Sequence, residues 1–274
     1  MPSKVLTTQR IEYILLVIIC FRKVVCQKMK ALILAGGKGK RLGSDITHIP
    51  KVMREALGKP LLGYVMEYTD FIPEKDKVIL VGYEKERVIN AFPEYPYAFQ
   101  EEQKGTGHAV MCAAKHFEDY DGTLLIINGD MPLLKKESVL ALKKYHEDAG
   151  ADCTILTFVA KGEIPPFGHI IRTVSGSVAG IVEHKDASEA QKLIPELNGG
   201  IYMFDCKKLF SVLSRITPSP VTGEYYLTDV PKLMIAEGYK VEGFILPDET
   251  ELAGVNTEED LREAERILGL RQNA

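Results

Sequence analysis

Residues 30–53 read KALILAGGKGKRLGSDITHIPKVM, and the rest of the chain is organised around them. Residues 31–34 form an apolar run without a polar break, as a buried parallel strand requires. Gly36, Gly37 and Gly39 then let the backbone turn tightly at the carboxyl end of that strand, the place where open α/β sheets hold ligands. Glycines bring backbone N–H groups close to phosphate oxygens, and Lys38, Lys40, Arg41 and, behind Pro50, Lys51 add positive charge. The stretch therefore reads as a cradle for a highly anionic ligand. It is not a Walker A loop, because Gly39-Lys40 is followed by Arg41 and the position five before Gly39 is Leu34. A dinucleotide fingerprint fits no better: Gly37, Gly39 and Gly43 leave one residue too many, and Ser44, Asp45 and Thr47 lead to a proline in place of a helix.

Composition sets bounds on the rest. With 274 residues, 46% apolar and 26% charged, the chain has the makeup of an ordinary globular protein. Five basic residues and one acidic residue in the first 28 positions leave a body of net charge −8 within a total of −4. A body that acidic argues against nonspecific nucleic-acid binding and makes the basic loop a local phosphate site. The five cysteines, Cys20, Cys26, Cys112, Cys153 and Cys206, include no C-x-x-C pair. They predict neither a disulfide framework nor a zinc site, and point to reduced thiols in a cytoplasmic protein.

Residues 1–28 read differently from the body. ILLVIICF at 14–21 is continuously apolar but far shorter than the roughly 20 residues that span a bilayer, and no small-residue cleavage site follows it. Met29 stands directly before the first strand, so residues 1–28 are expected to be a non-core extension or start-site artefact, with no membrane anchor, and residues 29–274 the domain. Further strands are expected at 77–81, 98–99, 123–127 and 153–160, alternating with helices at 61–71, 84–92, 105–117 and 136–149. Such alternation predicts an α/β fold, a mostly parallel sheet with helices on both faces. From about residue 161 HIIRTV, VAGIVEHK and ELNGGIYMF predict antiparallel strands, with a short helical DASEAQKL among them. A helix over 224–237, a strand over 241–246 and a helix over 258–268 close the chain.

Four segments carry the expected chemistry. In FQEEQKGTGHAV (99–110), Gln100 and Gln103 can read a base edge, while Gly105 and Thr106 allow backbone and hydroxyl contacts with a flat ring. Asp130, after the most hydrophobic strand, is placed to hold a hard divalent cation that bridges phosphates, and Asn256 in GVNT offers a second oxygen. On the strand-rich side, Gly168, Glu183 with Lys185, and Asn198 suit a sugar's vicinal hydroxyls.

L-A-x-G-x-G-x-R followed by P-K resembles the signature of sugar-phosphate nucleotidyltransferases. With PKVM, QEEQKGTGHA, NGDMPL, IVEHKDAS, ELNGGIY, GEYYLTD and GVNT in order from Met29 onward, the chain resembles the bacterial N-acetylglucosamine-1-phosphate uridyltransferases. The resemblance implies a Rossmann-like nucleotidyltransferase fold with an antiparallel sugar-binding subregion, UTP and a sugar 1-phosphate as substrates, and Mg²⁺ as cofactor. By the same resemblance Leu34, Ala35, Gly36, Gly37 and Gly39 wrap the triphosphate, and Arg41 and Lys51 act on its phosphates. Gln100, Gln103, Gly105 and Thr106 would bind uracil, Asp130 and Asn256 Mg²⁺, and Gly168, Glu183, Lys185 and Asn198 the acetylated amino sugar. Asn128 stands where the family commonly has an aromatic, Gly199 where it usually has threonine, and the segment from Arg41 to Lys51 is longer than usual.

No hexapeptide repeats occur, so a left-handed β-helix acetyltransferase domain and the trimer built on it are not expected, and the oligomeric state is left open. Two alternatives stay beside the main reading: another sugar-1-phosphate nucleotidyltransferase of UDP-glucose, dTDP-glucose or CDP-alcohol type, and a noncatalytic nucleotide-sugar-binding module. The presence of Arg41, Lys51, Asp130 and Asn256 together favours catalysis.

Overall fold

The computed structural model describes residues 29–42 and 44–273; the expected extension at 1–28 lies outside the described residues. Nine strands share one sheet: β1 (Met29–Ala35), β2 (Lys77–Val81), β3 (Tyr97–Phe99), β4 (Thr123–Asn128), β5 (Cys153–Val159), β6 (His169–Arg172), β7 (Val178–Val182), β8 (Glu196–Asp205) and β9 (Val241–Ile245). In the order β9-β5-β8-β4-β1-β2-β3, all strands but β8 run in one direction; β8 pairs antiparallel with both β4 and β5. The β6–β7 hairpin hangs from the start of β8 through the His169–Leu197 pair. Because β8 is reversed, its first residues lie at the same edge of the sheet as the last residues of β1 and β4. That reversal brings Asn198 to the edge where the glycine loop and Asp130 emerge.

Strand side chains alternate between two cores, as the pleat demands. Leu32, Val78, Leu124, Ile126 and Phe204 pack with α3 (Thr106–Cys112), α5 (Cys206–Leu213) and α6 (Val230–Ala236). Ala31, Ile33, Ile79, Leu125, Ile127 and Met203 pack with α1 (Leu61–Tyr68), α2 (Lys85–Ala91) and α4 (Lys136–Ala149) on the other face. A third, smaller cluster joins Leu42 of the glycine loop to Leu133, Val255 and, on α7 (Glu258–Gln272), Leu261, Ala264 and Leu268. The mostly parallel, helix-flanked sheet is the one the alternation predicts.

Local departures have physical reasons. The helix expected over 105–117 is α3 followed by a separate 3-10 turn, Ala114–Phe117. The helix expected over 224–237 is only α6, preceded by a 3-10 turn at Leu227–Asp229. Residues 224–226 stay outside the helix because Tyr225 N donates to Lys104 O and Gly107 N donates to Tyr225 O, both at 2.8 Å. Helix α5 was not expected, although Asp205 caps it by accepting from Lys208 N at 3.0 Å. Its buried Cys206, Leu209, Val212 and Leu213 recur at helical spacing. Strand β7 stops at Val182, which leaves Glu183, His184 and Lys185 off the ladder.

Candidate active site

Two cavities, about 450 and 340 Å³, open along the carboxyl edge of the parallel strands. They share Leu34, Lys51, Thr106, Asn128, Asp130 and Glu183 in their walls. Where they meet, the Lys51 ammonium forms an ion pair with the Asp130 carboxylate and donates to Asn256 Oδ1 at 3.0 Å. Arg41, reaching in from the exposed loop, donates to the same Asn256 oxygen at 3.2 Å. Pro50 starts the 3-10 turn Lys51–Met53, with Val52 buried as its anchor, so Lys51 is aimed by backbone and packing together.

Asn256 lies just before the start of α7, where such a residue often serves as the cap. The structure gives that work to Thr257, which accepts from Asp260 N at 3.1 Å while Asp260 accepts from Thr257 N and Asn256 N at 2.8 Å. The Asn256 side chain is thereby free for the crevice. Its Nδ2 donates to Gly254 O at 3.2 Å, which turns Oδ1 toward Lys51 and Asp130. Val255 N also donates to Asp130 O at 3.0 Å, so the two segments are tied by backbone.

On one side lies the larger cavity, lined by Gly36, Gly37, Gln100, Gln103, Gly105 and Thr106. Gln103 Nε2 donates to Gln100 O at 3.2 Å. Gly105 has φ of +100°, and its carbonyl accepts from Gln100 Nε2 at 3.1 Å. Thr106 does not cap its own helix; its Oγ1 accepts from Leu227 N at 3.0 Å and ties the GEYYLTD segment to the crevice. Gly39 adopts φ of +63° beyond the cavity wall. Ala35 is buried in the core beneath the loop and lines neither cavity.

The smaller cavity holds Gly168, Glu183 and Asn198. Glu183 Oε1 accepts from Thr228 Oγ1 at 2.8 Å. Burial raises the Glu183 pKa; the Thr228 bond opposes that, and Asp186, Asp229 and Glu224 add to it. Asn198 donates through Nδ2 to the buried Tyr202 hydroxyl at 2.6 Å and accepts at Oδ1 from Gly200 N at 3.0 Å, so its amide is held in one orientation. At Gly168 a Cβ would approach Ile181 Cγ2 to 3.0 Å. Gly199 sits in the bulge between the Asn198 and Ile201 pairs, and a Cβ there would lie 2.8 Å from Leu156 O. Lys185 is exposed at the rim of the larger cavity.

A family model described as the MobA-like NTP transferase domain matches residues 31–198. This chain belongs to the MobA-like NTP transferase family. It is also 39% identical over 242 residues to a protein named bifunctional protein GlmU from Geobacillus thermodenitrificans, an alignment covering 88% of this chain and 52% of that protein. Similarity to the bifunctional protein GlmU of Lactococcus lactis subsp. lactis is 41% over 244 residues, covering 89% and 52% respectively. For that of Caldanaerobacter subterraneus subsp. tengcongensis it is 38% over 248 residues, covering 90% and 53%. The chain thus spans about half the length of these relatives.

The stretch matched by the MobA-like NTP transferase model contains every expected site residue except Asn256, which returns to the crevice from near the end of the fold. Three residues of the site were not among the expected ones. Gly82, just past β2, is where a Cβ would meet Gly36 O at 2.8 Å and Gln100 O and Gln103 Nε2 at 2.9 Å. Thr228 and Tyr202 hold the carboxylate and the amide of the smaller cavity. A glycine directly after a buried strand was the only sequence signal for the first, and membership of GEYYLTD and ELNGGIY the signal for the others.

Among the described residues no helix is long and apolar enough to cross a membrane, and no group of three or more His, Cys, Asp or Glu is placed to hold a metal.

Proposed function

We propose that this chain is a Mg²⁺-dependent nucleotidyltransferase that moves the uridylyl group of UTP onto N-acetylglucosamine 1-phosphate, giving UDP-N-acetylglucosamine and pyrophosphate. The observation that carries the proposal is the meeting of two cavities across Lys51, Asp130 and Asn256. A nucleotide in the larger cavity and a sugar phosphate in the smaller would bring the α-phosphorus and the attacking phosphate oxygen to that junction. The attacking phosphate is ionised at neutral pH, so no general base or covalent residue is required, and positioning with charge neutralisation suffices. Two such anions at about 4 Å repel by ~1 kcal/mol in water and several-fold more in a drier site. Lys51 and Arg41 offset that repulsion from one side of the junction.

The residues present fit a hard cation. Asp130 and Asn256 turn two oxygens toward one point, the Lys51 ammonium, and Mg²⁺ takes few protein oxygens beside phosphate and water. When bound, it would supply further neutralisation of phosphate charge. In the smaller cavity Glu183 and Asn198 take the sugar hydroxyls and acetamido group, with Thr228 and Tyr202 fixing their geometry.

Pyrophosphate release from UTP with a panel of sugar 1-phosphates tests the substrate half. A buried polar group left unpaired by the wrong sugar costs ~1–3 kcal/mol, so kcat/KM for N-acetylglucosamine 1-phosphate should exceed that for glucose 1-phosphate by more than ~10-fold. Glu183→Ala should erase most of that margin. The ionised carboxylate accepts from two hydroxyls at once and more strongly than the protonated acid, and its pKa is raised by burial; kcat/KM should therefore fall as pH drops through a point above the usual glutamate value. That acidic limb should vanish in Glu183→Gln. Equal use of glucose 1-phosphate would remove the sugar from the proposal and leave the triphosphate site.

A further inference from the structure

We propose that His169 is a positioning residue for the sugar 1-phosphate: through a side-chain bond to His184 it holds Glu183 in place beyond the end of its strand. The inference rests on the reading of the smaller cavity as the sugar-phosphate site and deepens it.

The last pair of the β6–β7 ladder is Val182 with His169. Glu183 therefore has a strand behind it and a turn ahead, in which Asp186 N donates to Glu183 O at 2.9 Å. Thr228 donates to one carboxylate oxygen, but a hydroxyl rotates and can follow a displaced side chain, so that bond does not fix the backbone. The next residue is held by side chains instead. His184 Nδ1 lies 3.1 Å from His169 Nε2, with ring centroids 5.4 Å apart.

His169 is fully buried, and its Nδ1 lies 3.0 Å from Ile194 O. A carbonyl oxygen only accepts, so His169 Nδ1 carries a hydrogen. With both rings neutral, His169 Nε2 is bare and accepts from His184 Nδ1. One added proton keeps the two rings bonded. At His184 Nε2 it leaves the bond unchanged; at His169 Nε2 it is donated to a bare His184 Nδ1. Only two imidazolium rings would set hydrogen against hydrogen, so the bond does not depend on one choice of tautomer.

His169 thus grips Glu183 from both sides in sequence, its backbone pairing with Val182 and its ring with His184. The grip is itself anchored, because His169 also pairs with Leu197 of β8 and the carbonyl of Gly168 before it accepts from Asn198 N at 2.8 Å. One buried residue ties the Glu183 carboxylate and the Asn198 amide to a common frame. A side chain at 169 that cannot reach His184 frees the turn and lets the carboxylate drift from the hydroxyls it should meet.

Steady-state pyrophosphate release, with KM measured separately for N-acetylglucosamine 1-phosphate and for UTP, tests this on variants that divide the two bonds of His169. In His169→Gln the amide reaches the place of Nε2 and keeps the bond to His184; in His169→Asn it takes the place of Nδ1 and keeps only Ile194 O. His169→Asn should raise KM for the sugar phosphate by ~10-fold or more and leave KM for UTP within about twofold, whereas His169→Gln should stay near the wild type. A role confined to packing against Ile194 predicts the reverse order, and either that order or equal behaviour of the two variants overturns the proposal. If these variants do not fold, His184→Asn, which keeps a donor at the Nδ1 position, should retain the sugar KM and His184→Leu should lose it; equal values overturn the proposal. Adding His169→Asn to Glu183→Ala should cost nothing further, because the carboxylate it positions is gone, and a second loss of similar size overturns the route through Glu183. A sugar KM raised by Glu183→Ala but not by His169→Asn removes the positioning role alone. One unchanged even by Glu183→Ala removes the sugar reading of the smaller cavity, and the proposal with it.

Discussion

Asp130→Ala should lower kcat by about a thousandfold, ~4 kcal/mol of transition-state stabilisation, while the melting temperature stays close to that of the wild type. The carboxylate lies past the end of β4, between the two cavities, and outside all three apolar clusters. Removing it leaves Lys51 its bond to Asn256 Oδ1 at 3.0 Å, so the cation is not stranded. Steady-state pyrophosphate release and a thermal melt on the same preparation check both halves. Near-wild-type turnover in a folded variant would remove Asp130 from the chemistry.

Gly105→Ala should cost about 3 kcal/mol of stability and lower the melting temperature by roughly 6–12 °C. The residue sits at φ of +100°, and a Cβ there would lie 2.5 Å from Tyr225 O and 2.9 Å from Tyr225 N. Strain and a backbone collision therefore act together, and no flexible side-chain tip can move aside to relieve them. Displacing Gly105 also displaces the carbonyl that orients Gln100, so UTP affinity should fall at least tenfold. Gly150→Ala is the control: its φ is +57° and nothing lies within 4 Å of the added methyl, so only the strain, ~1 kcal/mol, remains. Equal losses in the two variants would mean that Tyr225 does not press on Gly105.

Much of the parallel half was legible because buried parallel strands are written as unbroken apolar runs. KVILV coincides with β2, and KESVLALKKYHEDA with α4. What the sequence hid was decided by contacts between distant segments. GEYYLTD has a helical look, yet the backbone of Tyr225 is held out of the helix by Lys104 and Gly107, more than a hundred positions earlier. Helix α5 was hidden behind the apolar run of β8, though Asp205 and the spacing of Leu209, Val212 and Leu213 announce it. In the site, motif residues were readable by type, but the joint grip of Arg41 and Lys51 on the single oxygen of Asn256 was not. Gly82 shows the limit most plainly, since its importance is the side chain it lacks and the three atoms, from two distant segments, that crowd the space.

Asn256 is joined directly to the cap of α7, and α7 is fastened by the smallest of the three apolar clusters. Detaching that helix exposes far less apolar surface than melting the sheet, so it belongs to the low-energy end of the protein's partial openings. Each such opening withdraws the oxygen that Arg41 and Lys51 share while both large cores stay intact. Amide-exchange protection along 258–272 would thus gauge how much of the folded population keeps that oxygen in place at any temperature, and warming should dismantle the junction of the two cavities before it unfolds the sheet.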